Sequence, residues 1–137
     1  MVKKIQGAVD NLKNKSISIL GLTFTPNTDD MRESPSITIV TELLGLCKTV
    51  RVYDPVGMNN AKNMDEFNGV EWAEDAYDCI NGTDAMVLVT EWNEFRALDL
   101  KKVKSLLKHP VIIDLRNVYS KEYMQEAGID YVSIGRN

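Results

Sequence analysis

Ile17-Ser18-Ile19-Leu20-Gly21 and Val50-Arg51-Val52-Tyr53-Asp54-Pro55 flank a stretch that opens at Ser34-Pro35 and runs through Ile37, Val40, Leu43, Leu44 and Cys47. The two outer runs are short, rich in β-branched residues and nearly continuous in apolar character, as strands covered on both faces are. The middle stretch keeps its apolar residues at i, i+3 and i+4, the spacing of an amphipathic helix. Ser34 fits an N-cap and Pro35 the first helical position. Pro55 ends the second strand, because proline has no N–H to give a ladder. A strand, a helix and a strand with connections this short predict parallel pairing through a right-handed crossover.

The same alternation continues toward the C-terminus. Ala85-Met86-Val87-Leu88-Val89, Val111-Ile112-Ile113-Asp114 and Tyr131-Val132-Ser133-Ile134-Gly135 read as further strands. Helical patterns lie between them. Ala73 to Ile80 is closed by Asn81-Gly82, Leu100 to Leu107 puts Lys101, Lys102, Lys104 and Lys108 toward solvent, and Ser120 to Ala127 stops at Gly128. Residues 3–13 are expected to form a short lead-in helix. Residues 55–72, with Gly57, Asn59, Asn60, Asn63 and Asn68, are the least regular part and read as a surface excursion with a short helix. The expected fold is a three-layer α/β/α, Rossmann-like domain with a mostly parallel sheet of about five strands.

Composition bounds the function. A chain of 137 residues is one domain with room for one real core. Sixteen Lys and Arg against twenty Asp and Glu give a net charge of −4 and a pI near 5.0, which argues against a chain-wide nucleic-acid footprint. A local site for one small anion remains compatible with that charge. No apolar run approaches the roughly 18 residues of a membrane span, and the N-terminus has no signal-peptide apolar core. Cys47 and Cys79 lack CxxC spacing and read as reduced, buried thiols of a cytoplasmic protein. His109, beside Pro110, is the sole histidine and reads as a surface residue.

Ligands of open α/β sheets bind beyond the carboxyl ends of the strands. That directs attention to residues 21–34, 54–57, 90–95, 114–119 and 135–137. The segment Gly21 to Pro35 is long for a strand-to-helix loop. It lacks the second and third glycines of GxGxxG and is not a P-loop. It contains Arg32 and ends at a helix N-terminus, where an anion could sit. The competing reading is a capped loop in which Asp29 or Asp30 pairs with Arg32. Arg116 follows the strand that ends at Asp114 and is expected on the same rim as Arg32. Two guanidiniums on one rim suit a diphosphate; the competing reading is an Asp114–Arg116 surface pair. Trp92 and Phe95 read as cover for the core edge, Asp54 as a turn residue, and Glu91 as a carboxylate without a nucleophile to serve. No catalytic set emerges, so the residues alone describe an α/β domain that binds an anionic ligand.

These segments resemble the C-terminal domain of the UDP-glucose/GDP-mannose dehydrogenase family. The resemblance rests on Gly21-Leu22-Thr23-Phe24, Asn27-Thr28-Asp29-Asp30-Met31-Arg32-Glu33-Ser34-Pro35, Val52-Tyr53-Asp54-Pro55, Thr90-Glu91-Trp92 with Phe95, and Ile113-Asp114-Leu115-Arg116-Asn117, in that order. It implies an enzyme that oxidises a nucleotide sugar, UDP-glucose or a related one, from the C6 alcohol to the uronate in two steps with NAD. It further implies a Rossmann domain for NAD, a central helical domain that forms a homodimer, and a C-terminal domain for the nucleotide sugar. The family's catalytic cysteine, lysine and aspartate lie upstream, so no catalytic residue and no metal site is expected here, and the isolated chain is expected to be inactive. Phe24 matches the family's phenylalanine beside the nucleotide sugar, and Arg116 an arginine that contacts it. Thr25 stands where the family usually has a lysine reaching toward the diphosphate. Arg32 matches an arginine that approaches the NAD pyrophosphate, the cofactor being held mainly by the N-terminal domain. Residues 1–14 resemble the end of the connecting segment, and 15–137 the nucleotide-sugar-binding domain. Thr25 also leaves open a non-catalytic regulatory or interaction module derived from the family.

Overall fold

The computed structural model describes residues 2–133. Its strands are Ser16–Leu20 (β1), Thr49–Tyr53 (β2), Glu71–Trp72 (β3), Ala85–Leu88 (β4), Val111–Asp114 (β5) and Asp130–Ser133 (β6). Its helices are Val2–Ala8 (α1), Pro35–Leu44 (α2), Met58–Lys62 (α3), Ala76–Ile80 (α4), Asn93–Arg96 (α5), Leu100–Leu106 (α6) and Lys121–Glu126 (α7). The strands form one sheet in the order β3-β2-β1-β4-β5-β6, and every adjacent pair is parallel. The expected α/β/α layering and parallel sheet are therefore present, with six strands where about five were expected.

Side-chain alternation along the strands builds a core on each face of the sheet. Ile17, Ile19, Val50, Val52, Val87 and Ile113 pack on one face with Val2 and Ile5 of α1 and with Ile39, Val40 and Leu43 of α2. Leu20, Met86, Leu88 and Ile112 pack on the other with Cys79 and Ile80 of α4, Phe95 of α5, Val103 of α6 and Met124 of α7. Fully burying an aliphatic side chain contributes about 1.5–3 kcal/mol, so these two layers outweigh any surface ion pair. Helix starts follow the capping rule: Ser34, Asp75, Asp99 and Ser120 each accept a main-chain N–H of the first turn.

Three details differ from expectation. The irregular stretch 55–72 ends in β3, a two-residue edge strand held to β2 and braced by Arg51, whose guanidinium pairs with Glu71 and Asp78. The helix expected over 73–80 begins at Ala76, because Ala73 N still donates to Val52 O in sheet fashion. Cys47 lies past the end of α2 and is only half-buried, whereas Cys79 is buried as expected. Residues 134 and 135 of the last expected strand, and the rim segment 135–137, lie outside the described residues.

The strand order places the site. β1 stands between β2 and β4, so the chain leaves β1 for α2 on one face and leaves β4 for α5 and α6 on the other. A crevice opens at such a switch point, outside the carboxyl ends of the two strands. Gly21 enters it with φ +95°, its N–H donating to Tyr53 O at 2.8 Å. A Cβ there would stand 2.6 Å from both Cβ and N of Thr90 at the end of β4. We expect Gly21→Ala to lose about 2 kcal/mol or more in urea unfolding, from left-handed backbone strain plus overpacking. A loss below about 0.5 kcal/mol, the usual surface value, would contradict this packing of β1 against β4.

Candidate functional site

Asp54 follows the last residue of β2 and is fully buried. A buried charge must be hydrogen-bonded to be tolerated, and Asp54 collects donors from three segments. Its Oδ2 accepts from Leu22 N at 2.7 Å, Thr23 N at 3.1 Å and Trp92 Nε1 at 3.2 Å. Its Oδ1 accepts from Val56 N at 2.9 Å and Gly57 N at 2.7 Å. The reading of Asp54 as a turn residue thus covers only the last two of these bonds. Gly57 is required by the contact that results: a Cβ on it would lie 2.5 Å from Thr23 Cγ2.

The main chain leaving β1 is committed atom by atom. Leu22 O accepts from Ser34 Oγ at 2.5 Å and Ser36 Oγ at 2.6 Å, from the N-terminal end of α2. Thr23 O accepts from Thr90 Oγ1 at 2.6 Å. Phe24 N donates to Asp30 O at 3.0 Å, and Phe24 O accepts from Arg116 Nη2 at 2.8 Å. Thr23 Oγ1 donates to Thr25 O at 3.0 Å and stands 3.3 Å from Asp54 Oδ2. A fully paired main chain leaves the Phe24 side chain as the part that faces outward, and the residue is 44% exposed. Thr25, next to it, is exposed as well.

Asp114 does for the β5 end what Asp54 does for β2. It is fully buried and accepts from Arg116 N, Val118 N, Tyr119 N and Tyr131 Oη at 3.0, 2.6, 3.1 and 2.7 Å. The sharp turn this closes includes Asn117 at φ 56°. Asp114 engages the Arg116 main chain, so the expected surface pair between their side chains gives way to a buried cap. The Arg116 guanidinium instead donates through Nε to Val89 O at 2.8 Å and through Nη2 to Phe24 O, with Glu91 Oε2 3.5 Å from Nε. Phe24, Pro35, Val89, Leu115 and Arg116 wall a hollow of about 190 Å³ at the switch point. A guanidinium has five N–H donors; the two carbonyls occupy two, and the other three have no hydrogen-bond partner among the described residues.

Arg32 is placed elsewhere. It is nearly fully exposed and paired with Asp30 through two nitrogens, at 3.0 and 3.2 Å. The Arg32 guanidinium holds the Asp30 carboxyl below the usual carboxylate range, and Asp30 in turn raises Arg32. Arg32 lines a separate open basin of about 800 Å³ with Asn60, Asn63 and Met64 beside α3. Among the described residues the two arginines line different hollows, and the structure does not bring them together as the expected diphosphate clamp. The alternative expectation, a loop in which Asp30 pairs with Arg32, describes the geometry.

The other candidates have structural positions. Trp92 and Phe95 are buried, as expected of a core edge, and the Trp92 indole also serves Asp54. Tyr119 is buried, with its hydroxyl donating to Phe95 O. Burial pushes the Cys47 thiol up to about 11 and Cys79 to about 12, so neither is an activated thiolate at neutral pH. His109 is exposed, with Nε2 3.8 Å from Asp84 at the opposite edge of the sheet. Among the described residues no group of three His, Cys, Asp or Glu side chains could hold a metal ion, and no helix is long and apolar enough to cross a membrane. After Gly21 the chain continues Leu22-Thr23-Phe24-Thr25-Pro26, without the second and third glycines with which a dinucleotide fingerprint admits a pyrophosphate to the main chain.

Asp54, Asp114, Thr90 and Glu91 are the site residues that sequence reasoning left out or underrated. The available signal was an aspartate closing an apolar strand, twice, where a buried carboxylate must find donors.

The chain is similar to known proteins over nearly its whole length. The model of the UDP-glucose/GDP-mannose dehydrogenase family, UDP binding domain, matches residues 18–121, which include Phe24, Asp54 and Arg116. A UDP-glucose 6-dehydrogenase from Rhizobium meliloti is 47% identical over 134 residues, 98% of this chain and 30% of the relative. The structure of a UDP-glucose dehydrogenase from Pyrobaculum islandicum aligns at TM-score 0.76 and 26% identity, over 98% of this chain and 28% of that one. An NDP-N-acetyl-D-galactosaminuronic acid dehydrogenase from Methanosarcina mazei aligns at TM-score 0.80 and 25% identity, over 99% of this chain and 28% of that one. The chain thus spans about 30% of the length of the curated relatives it matches and corresponds to their C-terminal part. With the family model matching more than half of its residues, the chain belongs to the UDP-glucose/GDP-mannose dehydrogenase family, as its UDP binding domain.

Proposed function

We propose that the chain is the nucleotide-sugar-binding domain of an NAD-dependent UDP-glucose 6-dehydrogenase, an enzyme that oxidises UDP-glucose to UDP-glucuronate in two steps. The observation that carries this reading is the corner formed by Phe24 and Arg116, an exposed aromatic ring on a hydrogen-bonded main chain beside a held guanidinium at the switch point. An aromatic face suits a base or sugar, and Arg binds phosphate oxygens in bidentate fashion. The corner's hollow, about 190 Å³, is smaller than the roughly 300–1,000 Å³ of a complete ligand pocket. It takes one part of a nucleotide sugar, and the remainder of the ligand meets another surface of the enzyme.

Residues 15–137 form the binding domain in this proposal, and residues 1–14 the end of a segment arriving from a central, dimer-forming domain. NAD is held by a separate Rossmann domain, toward which this chain offers Arg32 from its exposed loop. In the same reading the enzyme is a cytoplasmic homodimer. The present residues bind and orient the nucleotide sugar; the oxidation belongs to residues outside this chain.

Titration calorimetry with UDP and UDP-glucose tests the binding role. Each charge-assisted hydrogen bond contributes about 1.5–3 kcal/mol, so Arg116→Ala is expected to weaken UDP by about tenfold or more. Equal affinity for wild type and variant would remove Arg116 from the site, and no heat from the wild type would favour an interaction module. Thr25→Lys supplies beside Phe24 the charge that the family resemblance leads one to expect there, and is expected to tighten UDP severalfold at low salt, with the gain shrinking as salt rises. The pure chain is expected to make no NADH from UDP-glucose and NAD, read at 340 nm; turnover would overturn the assignment of the chemistry to other domains.

A further inference from the structure

The Phe24 ring is an exposed aromatic, so its own packing does little to orient it. Its direction comes from the main chain that precedes it. The acceptors of that main chain are held by Ser34, Ser36 and Thr90, hydroxyls that can rotate to other partners. Its donors, Leu22 N and Thr23 N, both go to Asp54. The same carboxylate holds the turn at Val56 and Gly57 and the indole of Trp92, so three segments of the rim meet on one buried charge.

We propose that Asp54 is a positioning residue of the nucleotide site: without touching the ligand, it sets the direction of Phe24 by anchoring the main chain at Leu22 and Thr23. The inference rests on the nucleotide-sugar reading above. An asparagine cannot replace Asp54, because one of the two oxygens becomes an NH₂ group facing donors. Turned one way, the amide opposes Val56 N and Gly57 N; turned the other, it opposes Leu22 N, Thr23 N and Trp92 Nε1. Thr23 carries the effect one residue further, since its hydroxyl links the neighbourhood of Asp54 to Thr25 O.

The test compares UDP affinity, by calorimetry, for the wild type, Asp54→Asn and Val103→Ala. Val103 is buried on α6 in the opposite layer from α2, and its truncation lowers stability away from the rim. All are measured at a temperature where circular dichroism shows them folded. The Trp92 indole N–H resonance reports the bond to Asp54 directly. The expected result is about a tenfold or greater loss for Asp54→Asn, a shifted indole resonance, and a change within twofold for Val103→Ala. Should Asp54→Asn fail to fold, Thr23→Val replaces it, with an expected loss of about threefold. Affinity within twofold of wild type for the rim variant, or an equal loss in Val103→Ala, overturns the positioning role and leaves the nucleotide reading intact. Absence of UDP binding by the wild type overturns the nucleotide reading, and the proposal with it.

Discussion

A carboxylate taken wholly out of water costs several kcal/mol unless hydrogen bonds surround it, and Asp54 meets that condition with five N–H groups drawn from three stretches of chain. Loops at the carboxyl edge of a parallel sheet leave main-chain N–H groups without ladder partners, and each must be paired somewhere. Asp54 and Asp114 supply that pairing at the ends of β2 and β5. Arg116 supplies the converse, pairing the orphaned carbonyls of Val89 and Phe24. Anions consume the donors and a cation consumes the acceptors, which leaves a stiff rim. Among the described residues every buried side-chain nitrogen and oxygen has a partner.

This arrangement makes a net charge of −4 compatible with the proposed site for a phosphate-bearing ligand. The negative charges of Asp54 and Asp114 are buried and already engaged by N–H groups, while Arg116 retains donors at the hollow. The Glu91 carboxylate lies 3.5 Å from Arg116 Nε. Arg32 serves a different surface, and Asp30 occupies its guanidinium in the chain as it stands. A small corner with the Arg116 guanidinium on its wall suits a domain that contributes part of a shared ligand site, in keeping with a chain that covers about 30% of its relatives.

The architecture was legible because doubly covered parallel strands are continuous in apolar residues and because Ser34 and Ser120 mark their helices. β3 escaped because two residues beside an Asn-rich turn carry no period, and its bracing by Arg51 is a tertiary contact. Arg32 and Arg116 were legible as rim residues from their positions after strands, while Phe24 stood out through the family resemblance. Their grouping was not: whether Arg32 and Arg116 share a hollow depends on the path of residues 21–34, which no periodicity encodes. Asp54 looked like a turn residue because the turn bonds to Val56 and Gly57 are local in sequence, whereas those to Leu22, Thr23 and Trp92 cross between strands.

In the proposed function the Phe24–Arg116 corner stands ready before the ligand arrives, held by buried carboxylates. Crystal structures of the chain alone and with UDP test this most directly. UDP is expected against the Phe24 ring with its phosphates on Arg116, and the main chain at residues 22–25 is expected to superpose between the two structures within coordinate error. UDP seated instead in the basin beside Arg32, or a 22–25 main chain that breaks its bonds to Asp54 to admit the ligand, would contradict it.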